Sequence, residues 1–108
     1  MESKTESCIL AIDQGTTSSR VLVFDHDLKV LDVASREHKQ ISAKPGWVEH
    51  DPEEIFKNVL ECLNEVCQRG GLSASNVKAI GITNQRETTV AFDRETGQPL
   101  HNAIVWLD

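Results

Sequence analysis

No apolar run in this chain approaches the roughly 20 residues that a membrane-spanning helix requires, so a spanning segment is not expected. The first seven residues are polar and charged and carry no apolar h-region, which argues against a secretory signal and for a cytoplasmic chain. Cysteine is scarce, with three residues and no C-x-x-C motif. Cys62 and Cys67 fall five residues apart within a helical pattern and so point in different directions. With Cys8 they read as small buried hydrophobes rather than as a disulfide or metal set. His26, His38, His50 and His101 are scattered without ligand spacing, which argues against a structural zinc site. Positive charge is in the minority, 11 Lys and Arg against 17 Asp and Glu, for a net charge of -6. That balance argues against non-specific attraction to a nucleic-acid backbone but not to a nucleotide, which needs only local positive charge and a metal. Internal repeats, low-complexity segments and linkers are also missing.

What is present suits one soluble core: 108 residues, 39% hydrophobic and 26% charged. That is enough for a single domain and small for an enzyme that must close around two substrates. The richest stretch is Asp13-Gln14-Gly15-Thr16-Thr17-Ser18-Ser19-Arg20, set between apolar runs at 8–12 and 21–24 that read as strands. A hairpin turn needs only a couple of residues with special backbone angles, so this loop carries more polar chemistry than turning requires. Glycine permits close approach of a ligand, hydroxyls and amides can wrap phosphate oxygens, Arg20 adds a charged donor and Asp13 suits a hydrated Mg2+. A solvated Ser/Thr-rich hairpin accounts for the same residues equally well.

The rest of the chain reads as β-β-β-α-β followed by a small β element. Residues 28–34 alternate as a half-exposed strand, and a short strand follows around 37–41. A loop at 44–52 with two prolines and a glycine leads to a helix over 52–69. Asp51 is its N-cap, Pro52 its first residue and Glu54 the third position of a capping box. Ile55, Val59, Leu63 and Val66, flanked by Phe56, Leu60, Cys62 and Cys67, form a broad apolar stripe, and Gly70-Gly71 ends the helix. After a connector at 72–78, strands are read at 79–83, as a buried strand beside the first, at 90–93, and at 103–106 beyond a turn at 95–99. This is an α/β layer with an antiparallel edge.

A second polar block, Asn84-Gln85-Arg86-Glu87-Thr88-Thr89, follows the apolar run at 79–83. If Arg86 and Glu87 were buried at a strand end they would need partners or a polar ligand. An Arg-Glu pair on a surface turn is the alternative.

The order of elements resembles the ribonuclease-H-like half-domain shared by actin, hexokinase and the heat-shock-protein ATPases. Within that group, Asp13-Gln14-Gly15-Thr16-Thr17-Ser18 resembles the D-x-G-T-[ST]-S loop of the FGGY carbohydrate kinases. Gly81-Ile82-Thr83-Asn84-Gln85-Arg86-Glu87-Thr88-Thr89, Pro45-Gly46-Trp47-Val48-Glu49-His50-Asp51-Pro52 and Asn102-Ala103-Ile104-Val105-Trp106 resemble the glycerol kinases of that family, in the same order and at similar spacing. Phe56 and Phe92 stand where tryptophan is common in the family, and His101 stands where tyrosine is common.

The resemblance implies ATP-dependent phosphorylation of glycerol, with ATP and Mg2+ as cofactors. It implies that Gly15, Thr16, Thr17, Ser18 and Arg20 meet the phosphates, that Asp13 lies on the metal side, and that Arg86, Glu87 and Trp106 hold glycerol. Trp106 as plain core is the competing reading. The loop at 46–51 is read as orienting the helix and not as catalytic. The resemblance makes residues 1–108 the amino-terminal part of the first kinase lobe and implies a homo-oligomer for the whole protein. Two alternatives stand beside it: another FGGY sugar kinase, which would share 13–18 but not 84–87, and an interaction module that pairs with full-length subunits. The family's general base, second phosphate loop and adenosine pocket are expected beyond Asp108. Purified residues 1–108 are therefore expected not to phosphorylate glycerol in an ATP-coupled assay, and turnover abolished by Asp13→Ala would overturn that expectation.

Overall fold

The computed structural model describes residues 7–105. Its elements are β1 (Cys8–Gln14), β2 (Ser18–Phe24), β3 (Val30–Glu37), β4 (Glu49–His50), α1 (Pro52–Gly70), β5 (Val77–Thr83) and β6 (Ala103–Ile104). A four-stranded sheet has the order β3-β2-β1-β5, with β1–β2 and β2–β3 antiparallel and β5 parallel to β1. The second sheet is the short pair β4–β6.

Hairpin β1–β2 is longer than the apolar runs alone predict. Asp13, Gln14, Ser18, Ser19 and Arg20 all lie in strands, with Asp13 opposite Arg20 and Gln14 opposite Ser19. Only Gly15, Thr16 and Thr17 remain to turn the chain. Cross-strand pairing satisfies the polar residues that apolar patterning assigns to a loop. The turn at 25–29 is stapled by Asp25 Oδ1, which accepts from the amides of Asp27 and Lys29, and Leu28 adopts a φ of 66°. β3 therefore starts later than the alternation at 28–34 suggests and runs on to Glu37, absorbing part of the strand expected at 37–41. Beyond it, Ile41 makes an isolated bridge to Glu49.

The helix follows its signals. Asp51 Oδ1 accepts from the Glu53 amide at 3.0 Å, and Gly71, at a φ of 63°, closes the far end. There the Leu72 amide reaches the Cys67 carbonyl at 2.9 Å. The capping box does not close onto Asp51: Glu54 Oε1 accepts instead from the Lys39 amide at 3.3 Å, tying α1 to the segment after β3.

α1 covers one face of the sheet. Cys8, Leu10, Val21, Val23 and Ala34 meet Cys62 and Val66, with Ile12, Leu63, Cys67, Leu72 and Val77 packed around them. All three cysteines are free, and burial pushes the thiols of Cys8 and Cys62 up. On the solvent side Arg36 pairs with Glu61 and Glu65, and Arg69 with Asp32 and Glu65. These partly solvated bridges each contribute little alone, and together they hold α1 in register with β3.

Three expectations fail. β5 takes its place parallel to β1 but is not buried: Ile80 and Ile82 are 52% and 72% exposed. It is an edge strand, and α1 reaches only as far as the β1 side. Phe56 and Leu60, part of the expected helix stripe, likewise line an open groove of about 440 Å³ with Ile82 and Val90. Residues 90–93 form no strand, only the bridge Phe92–Pro99 above a turn capped by Asp93. Val66→Ala is expected to destabilise the chain by roughly 2 kcal/mol through a cavity under α1, and Phe56→Ala by under about 0.5 kcal/mol. Urea unfolding of the two variants checks the contrast.

Candidate functional site

Parallel pairing of β1 with β5 sets Asp13 beside Thr83, so both strands end at the same edge of the sheet. The loops that leave these ends are the hydroxyl-rich turn and the block at 84–89. Open crevices at the carboxyl ends of parallel strands are where α/β sheets bind ligands. Strand alternation puts Asp13, Arg20 and Thr83 on the face away from α1, and Gln14 and Ser19 on the α1 side.

Within the turn the Gly15 amide donates to the Ser18 carbonyl at 2.8 Å. A Cβ at Gly15 would lie 3.3 Å from that oxygen, a tight contact that glycine avoids. The other carbonyls are held from behind: Gly15 by Gln14 Nε2 at 2.7 Å, Thr16 by Gln40 Nε2 at 3.1 Å and Thr17 by the His38 amide at 3.3 Å. With its acceptors engaged on the protein side, the turn presents less repulsion to an anion. Arg20 Nη2 donates to Asp13 Oδ2 at 2.8 Å, and both side chains are more than a third exposed.

Arg86 and Glu87 are exposed, and neither side chain has a hydrogen-bond or ion-pair partner among the described residues. The surface-pair alternative is thus not realised, and no desolvation cost arises. Glu87 has a φ of 52°, a left-handed conformation costing about 1 kcal/mol outside glycine. Thr88 Oγ1 braces the bend by donating to the Arg86 carbonyl at 3.1 Å. Trp106 lies outside the described residues. The strand before it, β6, is fastened on one side to β4 and on the other to Thr89, by backbone bonds of 2.9 and 3.0 Å at Ile104.

Between the two loops lies a buried polar group that patterning does not single out. Gln85 is 7% exposed and donates from Nε2 to Gln14 Oε1 at 3.3 Å and to His50 Nδ1 at 3.2 Å. His50 is fully buried, and its Nε2 lies 2.7 Å from Gln40 Oε1. The His38 ring meets it edge-on, with centroids 4.3 Å apart. Glu49 is also buried, and its Oε1 accepts from Asn102 Nδ2 at 3.2 Å. The loop at 46–51 therefore does more than aim α1. Their sequence separations run from 10 to 71 residues, beyond the range of local patterning. No cluster of three or more His, Cys, Asp or Glu suited to a metal occurs among the described residues.

The family model for the N-terminal domain of the FGGY family of carbohydrate kinases matches residues 8–108. The chain belongs to this family. It is 62% identical over 102 residues to the glycerol kinase of Trichlorobacter lovleyi, covering 94% of this chain and 21% of that protein. The Rhizobium meliloti glycerol kinase is 58% identical over 100 residues, covering 93% of this chain and 20% of that protein. Among solved structures, Plasmodium falciparum glycerol kinase with ADP superposes with a TM-score of 0.89 at 46% identity, over 95% of this chain and 21% of that one. A ligand-bound xylulose kinase from Lactobacillus acidophilus superposes with a TM-score of 0.83 at 26% identity, over 94% of this chain and 20% of that one. The fold is that of the FGGY kinases and their actin- and hexokinase-like ATPase relatives. The chain spans about a fifth of the length of the curated relatives it matches.

Burial lowers the His50 pKa below its ordinary value of 6.5, His38 lowers it further, and Glu54 opposes both. The unfolded state then binds the extra proton first, so this contribution to stability is full above about pH 6.5 and is lost as pH falls through the folded value. The stability difference between the native chain and His50→Gln is expected to shrink from pH 7.5 to 5.5 in urea titrations; a constant difference would refute the assignment.

Proposed function

We propose that this chain is the amino-terminal part of the first lobe of an ATP-dependent glycerol kinase, and that the two loops at the β1 and β5 ends form the donor and acceptor sides of its cleft. The observation that carries the reading is the parallel register of Asp13 with Thr83, which brings both loops to one sheet edge. Identity to glycerol kinases, 62% and 58%, against 26% to a xylulose kinase, supports glycerol over a pentulose.

Phosphoryl transfer asks for positioning and charge neutralisation more than for covalent chemistry. Gly15, Thr16, Thr17 and Ser18 would cradle phosphate oxygens, and Arg20 would reach the transferring group. The Arg20–Asp13 bridge is solvated and so is worth at most about 1 kcal/mol, which makes exchange of both partners onto ligand inexpensive. A single exposed carboxylate fits hydrated Mg2+, a metal that keeps its waters and takes most other oxygens from phosphates. Bound there through Asp13, it would neutralise phosphate charge.

On the acceptor side a triol offers hydroxyls along one edge and C–H groups along the other. The Arg86 fork donates, the Glu87 carboxylate accepts and Trp106 supplies an apolar wall. The left-handed bend at Glu87 is consistent with a side chain held for a ligand rather than for the fold.

In the full-length parent enzyme, Arg86→Ala and Glu87→Gln are expected to lower kcat/KM for glycerol on the order of 100-fold each, the worth of a charged hydrogen bond, with the ATP KM little changed. A substrate panel completes the test: preference for a pentulose over glycerol would overturn the proposal.

A further inference from the structure

We propose that His50 is a positioning residue that sets the spacing between the phosphate turn and the Arg86–Glu87 loop, through a closed ring of side-chain hydrogen bonds. The proposal rests on the two-loop reading given above. The ring begins at the Gly15 carbonyl, passes through Gln14, Gln85, His50 and Gln40, and returns to the Thr16 carbonyl.

Backbone chemistry sets the direction of every bond. A carbonyl oxygen only accepts, so Gln14 and Gln40 must each turn an NH2 toward the turn. Their amide oxygens then face inward. Gln14 Oε1 receives Gln85 Nε2, whose second proton points at His50 Nδ1. Gln40 Oε1, 2.7 Å away, requires a proton on His50 Nε2. One state satisfies all of these bonds: neutral imidazole, protonated at Nε2 and bare at Nδ1. A rigid ring with an acceptor on one edge and a donor on the other bridges two amides that approach from different segments.

Among the described residues His50 is the largest fully buried side chain, in a place where an apolar residue would pack without needing partners. Its backbone is held by β6 through Ala103, so the ring has a firm base. Gln85, directly before Arg86, is the sole member of the ring on the acceptor loop. Displacing His50 releases Gln85 on one side and Gln40 on the other, and the two loops lose their common reference.

The test uses the full-length parent kinase. His50→Phe keeps a flat ring and removes both bonds; Gln40→Leu cuts the ring on the phosphate side, far in the chain from Arg86. Each is expected to raise the glycerol KM about tenfold, the worth of a neutral hydrogen bond, with a smaller change in kcat. The double variant is expected to match His50→Phe, and His50→Gln, which can donate and accept, to restore much of the affinity. Glycerol KM values within about twofold of the parent, or effects that multiply in the double variant, would overturn the proposal. A parent enzyme that phosphorylates another substrate and not glycerol refutes the functional reading instead. Long-range proton–nitrogen NMR of labelled histidine then decides the ring independently: a proton on Nε2 and none on Nδ1 at pH 7.5 is expected, and the opposite tautomer overturns it.

Discussion

Two parallel strands cannot be joined by a hairpin, so the chain leaving the β1–β2–β3 meander must return the length of the sheet before β5 can lie beside β1. α1 makes most of that return, and its burial of Cys62 and Val66 against Leu10, Val21 and Val23 makes the crossover stable. Everything at the candidate site follows from this pairing. It fixes Asp13 beside Thr83, aligns the ends of both strands, and places two polar loops from distant parts of the chain at one edge.

Charge is distributed there with a clear division. Groups assigned to ligands stay in solvent: Arg86 and Glu87 are exposed, and Asp13 and Arg20 are only loosely committed to one another. Groups that position the loops are neutral, and the two at the centre of the ring, His50 and Gln85, are buried. A ring of amides and one imidazole orients the turn without placing an uncompensated charge in the interior, which would cost far more than these bonds return. The ionic contacts between α1 and β3 sit on the opposite flank, where solvent screens them.

Much of the architecture is legible from local signals. Asp51, Pro52 and Gly71 bound α1 because caps act within one turn of the chain, and the turn signals near Asp25 and Gly97 work over similarly short range. The strands are harder. Ser18 to Arg20 are polar and still form ladder, because pairing with β1 and β3 satisfies their backbone whatever their side chains prefer. β5 shows the reverse: Ile80 and Ile82 carry the pattern of a buried strand, yet apolar residues state only what must be covered, not what covers it.

Periodicity and caps in the chain suffice for the order of the main elements and for the helix and its ends, since those signals act within a few residues. Tertiary structure alone decided that Asp13 pairs across the hairpin with Arg20, that Glu54 serves Lys39 instead of its own helix end, and that His50 closes a ring with Gln14, Gln40 and Gln85. Those partners are brought together by strand register and by the crossover, and hydrogen-bond complementarity between distant side chains leaves no periodic trace in the chain.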